Sequence, residues 1–353
     1  MGDVKDTGDV RHRGAADASA EELEEYRGEL TGYCYRMLGS YAEAEDAVQE
    51  ALVRAWRSID RFEGRSAVRT WLYRIATRVC LDALASGKRR ALPMDLSGPS
   101  EGGTPPAPPQ DAVLWVEPCP GGDPEAAATA DESVRLAFVA ALQHLPPRQR
   151  ATLILRDVLG FSAREVADLH GATVASANSA LQRARATLAG RRATDGPAAG
   201  PFAATSAATS AATSAATSDV SVRRVLAERY ATAFSRYDME ELNMLLHLDA
   251  TLCLPPYAQW MRGAPDIRAW LTGPAIGCRG SRLVPTAANG SPAFGQYRPH
   301  PDGVGYVPWA LHVLAFSGDR ISGIAAFRDT ERLFPRFGLP DRLGEDDRPG
   351  ADA

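Results

Sequence analysis

Between Phe161 and Arg185 the chain carries side chains suited to reading nucleic acid rather than to making or breaking bonds. Ser162-Ala163-Arg164-Glu165 has the form of a capping box, serine at the N-cap and glutamate three residues on. Val166, Ala167 and Leu169 follow as packing residues, Gly171 supplies a turn, and Thr173 is placed to cap a second helix. In that helix Val174, Ala177, Leu181, Ala184 and Leu188 step by three or four, which predicts one buried stripe. The opposite face would present Ala175, Ser176, Asn178, Ser179, Gln182, Arg183 and Arg185. Small residues permit close approach to a major groove, Asn178 and Gln182 match base edges, and the arginines match phosphate or guanine. Arg164 and Thr173 complete the candidate set. The layout is that of a helix-turn-helix, although an ordinary helical hairpin fits the same pattern.

Two further constellations lie upstream. Asp46, Gln49 and Glu50 sit at i, i+3 and i+4, on one helical face. That face opposes the apolar stripe formed by Ala44, Ala47, Val48, Ala51, Leu52 and Ala55. Beyond it, Phe62, Trp71 and Tyr73 are interleaved with Arg61, Arg65, Arg69, Arg74 and Arg78, with Ser66 among them. Cations beside aromatics suit an unpaired strand and an extruded base. Trp71 falls on an apolar stripe and reads as a core residue instead.

Charge supports the division. The whole chain has 353 residues and a formal net charge of −5, which by itself argues against nucleic acid. The acids and bases are segregated, however. Glu21 to Glu50 carries nine acids and two bases, Arg61 to Arg90 two acids and eight bases, and Pro146 to Arg192 three acids and eight bases. Two basic patches on an acidic protein form a footprint for phosphate backbones.

The elements that position these residues fall into blocks. With 45% hydrophobic and 24% charged residues the chain is ordinary globular protein, long enough for two or three domains. Residues 93–124 form a linker in which 14 of 32 residues are Gly or Pro, with Trp115-Val116-Glu117-Pro118-Cys119-Pro120 placed to dock on a neighbouring surface. Residues 193–219, containing the AATS repeat of 203–218, read as a low-complexity spacer. The folded blocks are then 19–92 and 125–192, both helical, and 220–340, with a disordered tail at 341–353. The third block opens with a helical run, Val222 to Leu246. Strand-like runs follow at Ala310 to Phe316 and Ile321 to Phe327, which makes it α+β. The N-terminus has no apolar signal segment and no stretch is long enough to span a bilayer, so a cytoplasmic protein with no membrane partner is expected. The five cysteines form no CxxC pair and are expected as free thiols; no metal or cofactor is expected.

Leu145-Pro146-Pro147-Arg148-Gln149-Arg150, Leu153 to Asp157, the helix-turn-helix and Leu181-Gln182-Arg183-Ala184-Arg185 together resemble region four of an extracytoplasmic-function (ECF) sigma factor of the sigma-70 superfamily. Ala44 to Glu50, Arg61 to Ser66 and Thr70 to Ala76 resemble region two. The resemblance implies that Asp46, Gln49 and Glu50 grip the coiled coil of the polymerase β′ subunit. It implies that region two captures the melted −10 strand, and that region four meets the −35 element and the β flap. Arg78 stands where many members of that family carry Asn, and Ala177 where a larger apolar residue is usual. Both departures leave local roles open.

Trp260 to Trp270, Asn289 to Phe294, Leu311 to Leu314 and Leu333 to Pro340 resemble the SnoaL-like extension of certain actinobacterial ECF sigma factors, a curved sheet with helices enclosing a conical cavity. The resemblance implies regulation in cis. Trp260, Trp270, Asn289, Tyr297, Trp309, His312 and Phe327 are candidate lining for a small-molecule pocket, and His312 with Asp249 a candidate acid/base pair. The expected protein is therefore non-enzymatic and multidomain, two all-α sigma domains plus an α+β cone, directing core polymerase to promoters. Two alternatives are a SnoaL-type isomerase or cyclase fused to DNA-binding modules, and a repressor that never engages polymerase. The acidic face disfavours the second, and the absence of a clear acid/base constellation disfavours the first.

Overall fold

The computed structural model describes residues 23–62, 67–87, 89–121, 135–195 and 215–345. Among the described residues, the N-terminal block is built on α1 (Arg27–Leu38), α2 (Tyr41–Ser58) and α3 (Val68–Ser86). Gly39, at φ 71, ends α1 in the left-handed conformation, and the Ser40 side chain caps α2 by accepting from the Glu43 amide at 3.2 Å. The anticipated apolar stripe of α2 is buried throughout, from Ala44 to Ala55.

The second helical block contains α4 (Leu136–Leu142), α5 (Pro147–Leu153, running on into a π turn at Ile154–Val158), α6 (Ala163–His170) and α7 (Val174–Asp195). It packs on the first, α1 against α4 and α5, and α3 against α5 and α6. Arg150 of α5 is the polar centre of this seam, 3% exposed. Its guanidinium donates to the Met37 carbonyl, to Gln143 Oε1 at 2.6 Å and to the Gln143 and Leu145 carbonyls at 3.1 and 3.2 Å.

The C-terminal block begins with α8 (Ala215–Arg236) and α9 (Met239–Leu245). One helix was expected from Val222 to Leu246. The chain instead breaks at Tyr237, which takes φ 57, and Asp238 caps α9 by accepting from the Glu240 and Glu241 amides. Then follow β1 (Leu246–Cys253), β2 (Trp260–Arg262), α10 (Ala264–Thr272), β3 (Arg282–Ala288), β4 (Ser291–Pro299), β5 (Tyr306–Ser317), β6 (Arg320–Phe327) and α11 (Thr330–Arg336). The sheet order is β2-β1-β6-β5-β4-β3, with β1 parallel to β6 and every other pair antiparallel. Asn289 and Gly290, at φ 53 and 63, make the two-residue turn that joins β3 to β4.

Both faces of the sheet are covered. Phe294, Ala310, Leu314, Ile324 and Ala326 join Leu226, Tyr230, Phe234 and Trp270 in a core beneath α8 and α10. Ala293, Tyr297, Leu311, Val313, Ala325 and Phe327 point the other way and join a core continuous with the sigma-like helices. The linker is the intermediary. Among its described residues it holds short 3-10 turns at Pro93–Asp95 and Ala112–Leu114, and it lies against the sheet. Ser100 N donates to the Trp260 carbonyl, Gln110 N to that of Pro256 and Gly121 N to that of Ala287.

The edges of the low-complexity spacer and of the tail differ from those expected. Helix α7 reaches Asp195 and α8 starts at Ala215, so the spacer is shorter than 193–219; the repeats between lie outside the described residues. The tail expected to be disordered from 341 is ordered to 345, because Leu343 exchanges two backbone hydrogen bonds with Tyr306 and is 8% exposed. Among the described residues, no helix is long and apolar enough to cross a membrane.

Candidate nucleic-acid and partner interfaces

On α2, Asp46, Gln49 and Glu50 are all exposed, opposite the buried stripe. Gln49 Oε1 accepts from Arg27 at 3.1 Å and Glu50 pairs with Arg54 at 2.6 Å, so each has a light surface partner that a docking protein can displace. Sequence reasoning missed Trp56. It stands seven residues after Gln49, on the same side, 62% exposed. An aromatic outside the apolar stripe was the available signal.

The basic, aromatic stretch behaves differently. Arg65 and Ser66 lie outside the described residues, as does the side chain of Arg61. Phe62 stacks on Trp71 at 4.9 Å, so both serve packing. Arg74 and Arg78 are exposed. Tyr73, expected at the surface, is 0% exposed; it meets Phe161, just before α6, edge-on at 5.1 Å. Arg69 lies over the Tyr73 and Phe161 rings, 5.2 and 4.8 Å from their centroids, and pairs with Glu29 at 2.9 Å. Burial and then the Glu29 charge push the Tyr73 phenol well above its ordinary pKa. Two residues of the expected single-strand surface, Arg69 and Tyr73, are thus covered by the other helical block.

The helix-turn-helix is open. The capping box is complete in both directions, with the Glu165 amide donating to Ser162 Oγ at 3.2 Å and the Ser162 amide to Glu165 Oε2 at 2.7 Å. Those bonds hold the Glu165 carboxyl below its usual range. Gly171 turns the chain at φ 62, and Thr173 Oγ1 accepts from the Ser176 amide at 3.2 Å. Ala177, Leu181 and Ala184 are buried as anticipated, whereas Val174 is 43% exposed: the stripe begins one turn later than the spacing indicated. Arg164, Thr173, Ala175, Ser176, Asn178, Ser179, Gln182, Arg183 and Arg185 are all exposed. Arg185 is committed to Asp157 through two hydrogen bonds at 2.6 and 2.9 Å, while Arg183 has no ion-pair partner among the described residues.

The seven candidate pocket residues do not surround one cavity. Trp260, Tyr297 and Phe327 belong to the core on the sigma-like side of the sheet, with Trp260 Nε1 donating to the Ser97 carbonyl at 2.8 Å and Tyr297 OH to that of Pro340 at 2.7 Å. Asn289 is a junction: its side chain donates to Tyr35 OH at 2.7 Å and accepts from the Cys119 amide at 3.0 Å. Only Trp270, Trp309 and His312 lie on the helix-covered face, and there Tyr230, Phe234 and Phe294 pack around His312. His312 Nδ1 is 2.9 Å from Tyr230 OH and Nε2 is 3.0 Å from Gln296 Oε1, which can only accept; the proton therefore sits on Nε2. Burial, helped by the nearby Arg328 charge, lowers the His312 pKa to about 3. Asp249 pairs with Arg262 at 2.9 Å instead, so the acid/base pair is not assembled.

Glu117 of the linker ties three units together. Its carboxylate accepts from Ser40 Oγ and from Arg332 Nη2, both at 2.6 Å, and its amide donates to the Gly39 carbonyl at 2.9 Å. Tyr35 OH donates to its carbonyl at 2.8 Å. Ser40 is the cap of α2 and Arg332 belongs to α11, so one buried carboxylate joins the acidic helix to the C-terminal block.

Residues 23–90 match the family model for Sigma-70 region 2 and residues 135–188 that for Sigma-70, region 4. The chain is 43% identical over 327 residues to the ECF RNA polymerase sigma factor SigG of Mycobacterium tuberculosis, a match covering 91% of this chain and 83% of that one. The ECF sigma factor SigJ of the same organism is 34% identical over 46% of this chain and 48% of its own length. The crystal structure of SigJ superposes with a TM-score of 0.56 at 22% identity, covering 91% of this chain and all of that one, and thus shares the fold including the C-terminal sheet.

Proposed function

The chain belongs to the ECF RNA polymerase sigma factors, which are transcription initiation factors rather than enzymes, and on that premise we propose that its C-terminal domain regulates promoter engagement in cis. In this reading Asp46, Gln49 and Glu50, extended by Trp56, dock the β′ coiled coil in the cytoplasm. Arg74 and Arg78, with Arg61, Arg65, Ser66 and the now covered Arg69 and Tyr73, belong to the −10 surface. The exposed face of α7 belongs to the −35 surface, with region four also meeting the β flap.

The observation that carries the regulatory reading is Glu117, bonded at once to Ser40 and to Arg332. While that carboxylate is shared, the C-terminal domain holds regions two and four in the packing that buries Tyr73 under Phe161. Release of Arg332 would uncouple α11 from Glu117 at the α2 cap and let the −10 surface open. Run-off transcription with core polymerase tests it. Asp46→Lys with Glu50→Lys should abolish co-purification with core enzyme and the transcript. Glu117→Ala should retain core binding and raise transcript severalfold. Unchanged core binding by the double variant would remove the acidic face from the interface, and unchanged output from Glu117→Ala would remove the staple from regulation. Point variants are the cleaner tool, because truncation after Arg192 would bare the apolar face that the sheet shares with the sigma helices.

Region four makes a separate prediction. Arg183→Ala should weaken duplex binding by about 1 kcal/mol or more and reduce the slope of log affinity against log salt by about 0.9, the value for one phosphate contact. Fluorescence anisotropy over a salt series reads both, and an unaltered slope would assign Arg183 to no phosphate.

A further inference from the structure

At one end of the sheet, on the rim of the helix-covered face, three residues from adjacent strands form a stack. Trp309 of β5 stands between Arg298 of β4 and Arg328, just past β6, whose guanidinium carbons lie 3.7 and 3.6 Å from the indole centroid. Two guanidiniums that close to one centroid overlap unless they take opposite faces of the ring. The arrangement is held from behind. Arg328 Nε donates to the Trp309 carbonyl at 3.0 Å, its amide to the Pro255 carbonyl, and Arg298 Nε to the Gly277 carbonyl. The Arg298 guanidinium fills the space beside Gly277 that a β-carbon would occupy, so a larger residue there would displace it from this position.

What the stack lacks is negative charge. Arg229, Arg262 and Arg332 of the same domain each hold a carboxylate. Among the described residues, neither Arg298 nor Arg328 has one within ion-pair distance. Burial lowers the Arg328 pKa and Arg298 adds to the effect, opposed by Tyr257 and Cys278; no carboxylate acts on it. Two like charges are thus held on either side of one half-buried indole at a cost in mutual repulsion, with both terminal nitrogens of each left to donate.

The geometry points to a receptor for a small oxyanion, a carboxylate or phosphoryl group of a diffusible ligand, bridged between Arg298 and Arg328 at the edge of Trp309. An indole separates the guanidiniums by about two stacking distances, the span of an anion that takes one charged hydrogen bond of about 2.8 Å from each side. The polarised ring and the fixed backbone bonds keep both donors in place before the anion arrives. Binding stands apart from the regulatory reading, since it needs neither polymerase nor DNA. A consequence would link the two: Arg328 leads through Asp329 into α11, where Arg332 grips Glu117.

Isothermal titration of the full chain with sodium phosphate and with sodium benzoate, at constant ionic strength in chloride, tests the proposal. Saturable binding of one equivalent of either probe is expected, weakened at least tenfold in Arg328→Gln and in Arg298→Gln. Phosphate alone would mark a phosphoryl ligand and benzoate alone a carboxylic acid. No saturable heat from either probe, or equal affinity in the arginine variants, overturns it. Should Arg328→Gln fail to fold, Arg298→Gln decides, because its side chain is the less buried of the two and closes the stack from β4. Saturable binding of duplex DNA that Arg298→Gln abolishes, with neither small probe binding, would also overturn it.

Discussion

Replacing Arg150 by methionine is expected to destabilise the sigma core by about 3 kcal/mol, although the substitution keeps an apolar chain of similar reach. The guanidinium holds four acceptors, three of them carbonyls at the seam between regions two and four. Methionine would leave the Met37, Gln143 and Leu145 carbonyls without that donor, at about 1–3 kcal/mol for each group that water cannot reach. Against this stands the relief of no longer burying a cation. Burial is the main reason, with Arg89 adding, that the Arg150 pKa falls to about 10, so at neutral pH the charge is still present and still costly to desolvate. The orphaned carbonyls outweigh that relief because they outnumber the single cation. Guanidinium unfolding followed by far-UV circular dichroism should show an earlier midpoint. Near-UV dichroism should show weakened Tyr73–Phe161 packing, since the same seam covers both rings. A midpoint equal to wild type would mean that the Arg150 hydrogen bonds add no net stability to the seam.

Acidification from pH 7 to pH 5 should cost the C-terminal domain about 2 kcal/mol through His312. The sign follows from the buried ring. Folded, it stays neutral until about pH 3; unfolded, it takes its proton near 6.5. Between those values the unfolded chain binds more protons, so stability is complete above pH 6.5 and is lost as the pH falls towards 3. His170, whose pKa burial also lowers, contributes in the same direction. Comparison with His312→Gln therefore isolates the effect: the variant should lose most of the slope between pH 6.5 and 4 in thermal melts followed by tryptophan fluorescence. Equal slopes would place the proton uptake elsewhere.

What could be read from the residues and what could not divides along a physical line. The Ser162/Glu165 box, the Gly171 turn and the α2 stripe are local, and each is set by side chains within a few positions of one another. The interior of the C-terminal domain is not local. Residues Ala310 to Leu314 of β5 are buried on both faces, so alternation carries no signal about which side meets which partner. Aromatics that looked like pocket lining were therefore split between two cores. Tyr73 reads as a surface aromatic in its own stretch; the ring that covers it, Phe161, comes from another domain. Asn289 was singled out as lining, whereas its partners Tyr35 and Cys119 lie far away in sequence. The Arg298–Trp309–Arg328 stack gave no sign either, because β4, β5 and the segment just past β6 contribute one residue each.

The sheet turned towards the sigma helices has a consequence for the history of such chains. A module hung on a tether can be gained or dropped by recombination with little penalty to its host. Here the hydrophobic interior runs unbroken from Leu30 of α1 to Phe327 of β6. Shedding the extension would leave its host with an oily wound, so once acquired it is locked in, and variation must work on the wedge between the parts rather than on their presence.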